Sequence, residues 1–285
     1  MGARINIDSV SELLRLRKIT PSKMDISMRM DPGVAGAGHH WKVVTAGREA
    51  HGLPIKFSIP ENEVVDTAQL AEKNKFNMVG LHEHIGTNWR SNEDIDEFLK
   101  TVDVVIEKAK QVTKAVGHDL EFLNFGGGPG VRYMESHPEF PLDRYAEEIN
   151  RRIDKSGLNI DAIHFEPGRY LVADSGLFLT QVVDIKKRYG DIIVGVNTGF
   201  NHLVRPTMYG SYHEIINCTK AAAKANATVT VAGNLCETGD VLTPEPRKMP
   251  MPEEGDILAL HNAGAYGYVM ASNYNLRGLP KEIIL

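Results

Sequence analysis

Short apolar runs alternate with stretches of helical spacing through the first part of the chain. Ile5, Asn6 and Ile7 precede Asp8 and Ser9, an N-cap pair, and residues 10–17 then place apolar side chains on one helical face. Residues 24–30 predict a strand ending at Asp31-Pro32-Gly33. Residues 58–73 predict a loop running into a helix, 78–82 a strand, and 94–116 a long amphipathic helix. A strand over 122–125, a helix over 142–153 and a strand over 162–165 follow. Strand and helix in alternation imply parallel crossovers, in part of a (β/α) barrel or in an open doubly wound sheet. From Ser175 onward the texture changes. Residues 177–185, 191–196, 228–232 and 256–260 are β-rich runs separated by turns, which predicts a second, all-β domain.

The placement of polar residues favours the barrel. His82 and His84, Gly126 to Gly128, and Glu166 with Arg169 fall at the C-terminal ends of successive predicted strands, the face on which barrel active sites are built. The glycine triplet after Phe125 lets backbone N–H groups turn toward an anion, and Arg169 adds a planar fork for the same anion. Together they read as a phosphate cradle with Glu166 beside it as a buried carboxylate, although either segment alone also fits an ordinary strand-to-loop turn. His82 and His84 would share a strand face and could ligate a metal, but no third ligand stands at a suitable spacing, so no metal is expected. A histidine here can instead lie flat against an aromatic ring, with Gly86 and Thr87 offering an N–H and a hydroxyl to phosphate. The β-rich part holds three polar clusters: Asn197 to Phe200 with Arg205 to Tyr209, Gly233 to Asp240, and Ala263 to Tyr268. Within the second, Cys236 and Glu237 could form an acid pair, a thiol for proton delivery beside a carboxylate for a substrate amine. A lone cysteine also serves commonly as buried filler.

Bulk properties narrow the function classes. A chain of 285 residues with net charge −5 is long enough for one large or two ordinary domains and is a poor match for nucleic acid or an anionic membrane as main partner. No apolar run reaches membrane-spanning length, and the N-terminus shows no signal-peptide pattern. The two cysteines, Cys218 and Cys236, provide no disulfide framework, so a reducing, cytoplasmic setting is expected.

Seven segments in order carry a resemblance: Arg29-Met30-Asp31-Pro32-Gly33, His84-Ile85-Gly86-Thr87, Phe125 to Gly130, Glu166-Pro167-Gly168-Arg169-Tyr170, Arg205-Pro206-Thr207-Met208-Tyr209, Cys236-Glu237-Thr238-Gly239-Asp240 and Gly264-Ala265-Tyr266. The chain resembles the fold-type III, pyridoxal-phosphate-dependent amino acid decarboxylases, and within that family the branch acting on meso-diaminopimelate. The resemblance implies a partial (β/α)8 TIM-type, alanine-racemase-like barrel over residues 1–174, about strands 4 to 8, followed by a C-terminal β-barrel or sandwich domain over 175–285. It implies that Gly126, Gly127, Gly128, Gly168 and Arg169 hold the phosphate of pyridoxal 5'-phosphate, with Thr87 and Tyr266 helping. His84 would stack on the pyridine ring and Glu166 would pair with the ring nitrogen. Arg205 and Tyr209 would grip a substrate carboxylate and Glu237 the distal amino group. Cys236 would return a proton from the partner subunit of a homodimer with shared sites. The implied reaction converts meso-diaminopimelate to L-lysine, in lysine biosynthesis; relatives act on D-ornithine, D-lysine or carboxylated siderophore intermediates. The loop over 36–52, rich in Gly and His, is expected to shape the substrate end.

One family element has no counterpart. The lysine that bonds the cofactor, usually in a Lys-Ala-Asn-like strand, is absent, and residues 4–9 resemble the family's fourth strand and the start of its helix. Lys56 with Phe57 matches a different family loop. Three barrel strands are expected to be missing, which would leave open edges. The chain would then be truncated, completed by a separately encoded piece, or repurposed as a non-catalytic pyridoxal-phosphate or anion-binding protein.

Overall fold

The computed structural model describes residues 4–34 and 41–285, so residues 36–40 of the glycine- and histidine-rich loop lie outside the described residues. The chain divides into two compact units, Met1–Gly130 with Pro138–Gly168, and Val131–His137 with Arg169–Leu285.

The first unit follows the apolar periodicity closely. Strand β1 (Ile5–Ile7) leads into helix α1 (Val10–Ile19), where the Ser9 hydroxyl accepts from the Glu12 N–H and caps the first turn. Next comes β2 (Met24–Asp31), then a two-residue hairpin of β3 (Glu49–Ala50) and β4 (Leu53–Pro54), then β5 (Ile59–Pro60), which pairs with the end of β2. Helix α2 (Val64–Lys73) and strand β6 (Phe76–His82) follow. Helix α3 (Asn92–Val116) starts in a capping box between Ser91 and Asp94 and stops at Gly117, whose φ of 83° ends the helix in the left-handed region. Its buried Ile95, Phe98, Val102, Val105, Ala109 and Val112 recur at helical spacing and face the sheet side, each large apolar side chain contributing about 1.5–3 kcal/mol of burial. Strand β7 (Phe122–Asn124), helix α4 (Leu142–Ser156) and strand β8 (Ala162–His164) complete the unit.

The strands lie in the order β1-β2-β6-β7-β8, all parallel. Apart from the short β5, order in space follows order in sequence, without the reversal that marks a doubly wound sheet, so the winding is that of a (β/α) barrel. Met28, Met30, Met78, Leu81 and Leu123 are fully buried, the near-continuous apolar texture of strands covered on both faces.

Arg169 departs from the expectation that it ends a strand. Pro167 and Gly168 stop the extended run, and Arg169 sits in the short helix α5 (Gly168–Val172). In the second unit, β9 (Phe178–Arg188) and β10 (Asp191–Val196) form a hairpin through Tyr189 and Gly190, whose φ values of 50° and 96° suit a two-residue turn. Helix α6 (Arg205–Tyr209), β11 (Ile215–Asn217), β12 (Ala227–Ala232), β13 (Arg247–Met249) and β14 (Ile257–Leu260) follow. The sheet order is β11-β14-β9-β10-β12-β13, antiparallel except for β10 with β12. Val182, Val194, Val196, Val231, Leu258 and Leu260 form the centre of its core. The three-residue strands β11 and β13 are too short to show an alternation in sequence. Among the described residues, no helix is long and apolar enough to cross a membrane.

Candidate active site

Strand β6 ends at His82, and the next residues turn across the C-terminal end of the sheet. The His84 carbonyl accepts from Arg29 Nη2 at 3.0 Å and from Thr45 Oγ1 at 2.6 Å, which pins its backbone. Its ring Nδ1 accepts from the Gly127 N–H at 3.2 Å, so the ring proton sits on Nε2. Burial and the nearby Arg29 guanidinium lower the His84 pKa, and the ring is neutral. Thr87 lies half-buried in the loop that leads from β6 toward α3.

A row of polar side chains crosses the sheet beneath this turn. Ser27 Oγ donates to Asn6 Oδ1 at 2.8 Å, and Asn6 Nδ2 lies 2.9 Å from His82 Nδ1. An amide nitrogen only donates, so His82 Nδ1 is the acceptor and Nε2 carries the proton. That Nε2 points at Glu166 Oε1, 3.7 Å away, while Asn124 Nδ2 donates to the same oxygen at 2.8 Å. Burial holds the His82 pKa down to about 4 against the opposing pull of Glu166, so the ring is neutral, and its Nε2 makes no hydrogen bond among the described residues.

Glu166 was expected to be the buried carboxylate, and it is not. Its side chain is 54% exposed, because β8 has already ended at His164 and residue 166 lies on the rim. A buried carboxyl in this unit is instead Glu83, fully enclosed, with no hydrogen-bond partner for either oxygen among the described residues. Burial pushes its carboxyl well above the usual range, with Arg29 opposing. Its charge acts on the buried Tyr145 hydroxyl, whose pKa burial raises first and Glu83 raises further.

The glycine triplet is required by close approach on all sides. A Cβ at Gly126, where φ is 63°, would lie 2.5 Å from the Glu83 carbonyl oxygen; at Gly127, 2.4 Å from the Glu166 carbonyl oxygen; at Gly128, 2.5 Å from the Trp89 ring. Gly126 N–H bonds Asn124 Oδ1 and the Gly128 carbonyl accepts from Asn88 and Trp89. The Gly128 N–H meets no acceptor among the described residues. Gly168 is exposed, with open space where a Cβ would stand.

The second unit holds its own cluster. Arg169 Nη1 donates to the Tyr133 hydroxyl at 2.6 Å, and its guanidinium lies 5.1 Å from the Tyr266 ring centre. Arg205, at the start of α6, sits 5.0 Å from the Tyr133 ring centre and bonds His213 Nε2 at 2.9 Å. Burial lowers the Arg205 pKa, and Tyr133 and Tyr209 oppose the shift. Thr207 of the same helix donates to the Gly239 carbonyl at 3.1 Å, tying α6 to the loop that carries Cys236 and Glu237. Asp240, 3% exposed, shapes that loop by accepting from the Phe200 and Leu235 N–H groups at 2.6 and 2.8 Å. Cys236 is exposed and accepts from Asn275 Nδ2 at 3.2 Å; Glu237 accepts from the Tyr274 hydroxyl at 2.5 Å.

The first unit thus gathers His84, Thr87, Gly126, Gly127, Gly128 and Glu166 at the C-terminal ends of its strands. The second gathers Arg169 with Tyr266, and Arg205 and Tyr209 beside the loop of Cys236 and Glu237. Asn6, the approach of His82 Nε2 to Glu166, Tyr133 and His213 were not read from the sequence. For His82 the period-two alternation of β6 was a usable signal; Tyr133 and His213 carried none, because only the fold brings them to Arg205.

Comparison with known proteins agrees with this geometry. The family described as "Pyridoxal-dependent decarboxylase, pyridoxal binding domain" matches residues 2–173, so the chain belongs to the pyridoxal-dependent decarboxylases. Diaminopimelate decarboxylases are among the proteins it is similar to. That of Methanothermobacter thermautotrophicus is 38% identical over all of this chain and 65% of its own length, and that of Archaeoglobus fulgidus 35% identical over all of this chain and 66% of its own. The crystal structure of diaminopimelate decarboxylase from Helicobacter pylori complexed with L-lysine superposes with a TM-score of 0.83 at 32% identity, covering 95% of this chain and 64% of that one. The chain therefore spans about two thirds of the length of these relatives. The fold is that of the fold-type III decarboxylases, an N-terminal α/β barrel domain and a C-terminal β-rich domain. The residues at the strand ends fit a phosphorylated pyridine: Gly128 is buried and its N–H meets no acceptor among the described residues, and Glu166 offers a carboxylate on the open rim.

Proposed function

We propose that this chain carries the cofactor and substrate groups of a meso-diaminopimelate decarboxylase that forms L-lysine. One observation carries the reading: Glu166, fixed by Asn124 and faced by the neutral His82 N–H, stands on the same strand-end rim as the Gly128 donor and the His84 ring, within a chain whose residues 2–173 match a pyridoxal binding domain. When bound, pyridoxal 5'-phosphate supplies an electron sink for the pair released as CO2 leaves. Glu166 holds a proton on the ring nitrogen, and Asn124 keeps the carboxylate aimed. His84 offers its ring face, with Nδ1 locked on Gly127 so that the ring does not turn. Gly126 to Gly128 receive the phosphate, and Thr87, Gly168, Arg169 and Tyr266 are assigned to the same group.

Arg205 and Tyr209 are assigned to the second carboxylate of the substrate and Glu237 to its distal amine. Cys236, in a homodimer with shared sites, delivers a proton to Cα. Free, exposed Cys218 and Cys236 suit a reducing cytoplasm. Covalent attachment needs a lysine, and no motif for one stands within these residues. Activity is accordingly assigned to a barrel completed by a lysine-bearing strand, from this polypeptide or from another. The test is CO2 release by protein isolated natively from its own cells and loaded with pyridoxal phosphate, with meso-diaminopimelate, D-ornithine and D-lysine as rival substrates. Release from meso-diaminopimelate ahead of the other two is expected. No release from any would overturn decarboxylation, and a preference for D-lysine would overturn the dicarboxylate.

A further inference from the structure

Arg205 is 4% exposed, yet among the described residues no carboxylate pairs with it. A buried guanidinium persists only where its N–H groups meet partners. Here they are His213 Nε2 at 2.9 Å and the face of Tyr133. His213 is itself 1% exposed, and its Nδ1 lies 2.8 Å from the His261 carbonyl oxygen. That carbonyl is held in place because the His261 N–H bonds the Glu214 carbonyl at 2.9 Å.

The chemistry of these partners leaves one protonation state. A carbonyl only accepts, so Nδ1 carries the hydrogen; a guanidinium only donates, so Nε2 carries the lone pair. A second proton would set N–H against N–H and add a third cation beside Arg205 and Arg169, which meet around Tyr133. The Tyr133 ring lies edge-on to His213, 5.8 Å between centres.

We propose that His213 is a positioning residue: a neutral imidazole bridging the His261 carbonyl and the Arg205 guanidinium, it fixes the arginine fork while leaving its full positive charge for an anionic ligand. An aspartate or glutamate at this place would orient Arg205 as well, but would cancel the charge that a substrate carboxylate has to meet. The proposal rests on the assignment of Arg205 to a substrate carboxylate and deepens it, by adding the group that keeps the site cationic.

Two measurements on the full chain separate the proposal from that assignment. Long-range 1H–15N imidazole spectra, with the His213 signals identified by their loss in His213→Gln, are expected to show the Nδ1–H tautomer unchanged between about pH 5.5 and 8. A titrating or Nε2–H imidazole would overturn the proposal whether or not the protein binds any amino acid. Calorimetry with meso-diaminopimelate as probe is expected to give binding about tenfold or more weaker in His213→Ala and in His213→Glu. His213→Gln, whose amide accepts from a guanidinium and donates to a carbonyl, should recover most of that loss. Undiminished binding in His213→Glu would sink the proposal and leave the substrate assignment standing. No binding by the wild type, with the Nδ1–H tautomer in place, would remove the substrate assignment and leave His213 as the neutral support of Arg205.

Discussion

Replacing Glu83 with Gln should stabilise the first unit, and by more as pH rises. The carboxyl is fully enclosed, neither oxygen has a partner among the described residues, and burial raises its pKa in the folded state. The folded chain therefore holds a proton that the unfolded chain releases near pH 4.3. Between that point and the raised folded pKa the native state binds more protons than the unfolded one, so stability falls as pH increases. Each pH unit in that window costs about 1.4 kcal/mol for one proton, and the loss stops once pH passes the folded pKa. Glutamine has the shape of the protonated acid and no proton to lose, so the variant lacks this slope. The gap between variant and wild type is then smallest below about pH 4, where the carboxyl is mostly protonated in both states, and widens above it until pH reaches the folded pKa.

Urea unfolding at half-unit steps from about pH 5 to 8 measures that gap. Tryptophan fluorescence is the suitable signal, because both tryptophans, Trp41 and Trp89, belong to the first unit. The reasoning fails if the two stability curves run parallel across the range, since Glu83 would then titrate alike in the folded and unfolded chain. It fails equally if Glu83→Gln is less stable than wild type at pH 8.

Gly128→Ala should lower stability by about 1–3 kcal/mol, since its Cβ would stand 2.5 Å from the Trp89 ring at a φ of 135°; denaturant midpoints measure this, and an unchanged midpoint would contradict the packing. Asp240→Ala should orphan the Phe200 and Leu235 N–H groups at about 1–3 kcal/mol each, read as lost hydrogen-exchange protection at those two amides. Under the proposed decarboxylation, Glu166→Ala should spare cofactor binding and lower turnover by orders of magnitude, whereas Arg169→Ala should weaken cofactor retention by about 1.5–3 kcal/mol, roughly 10- to 150-fold. Absorbance titration and turnover separate the two, and equal cofactor loss in both would erase the distinction. Mixing a Cys236 variant with a variant of the Gly126 to Gly128 cradle should restore part of the activity if sites are shared across a dimer; no restoration speaks against sharing.

The alternation of apolar strands with amphipathic helices made the barrel legible, because strands β2 and β6 and helix α3 carry their periodicity over seven or more residues. Strands β11 and β13 were not legible, whereas the equally short β7 and β8 were, because each of those stands between a predicted amphipathic helix and a glycine- or proline-marked turn. Short sequence motifs exposed the strand-end groups, since Gly126 to Gly128 and Glu166 to Arg169 are each contiguous. The partners that aim them were hidden for the opposite reason. Asn6 is 76 residues from His82, and Tyr133 is 36 from Arg169, so nothing but the fold joins them. The expectation of a buried Glu166 failed on one point of geometry: the strand stops two residues earlier.

The row of Ser27, Asn6, His82, Asn124 and Glu166 has a consequence for assembly of the sheet. Asn6 pairs with Ser27 and His82 with Asn124 as direct neighbours in the ladder. Parallel strands buried on both faces offer almost the same apolar surface in several alignments, so hydrophobic burial by itself discriminates weakly between them. Sliding one strand by a single residue would turn its polar member to the opposite face and strand the hydrogen-bonding groups of its neighbours without partners. The row therefore works as a key for alignment, and the sheet that has found its correct pairing has by the same act put the rim carboxylate in place.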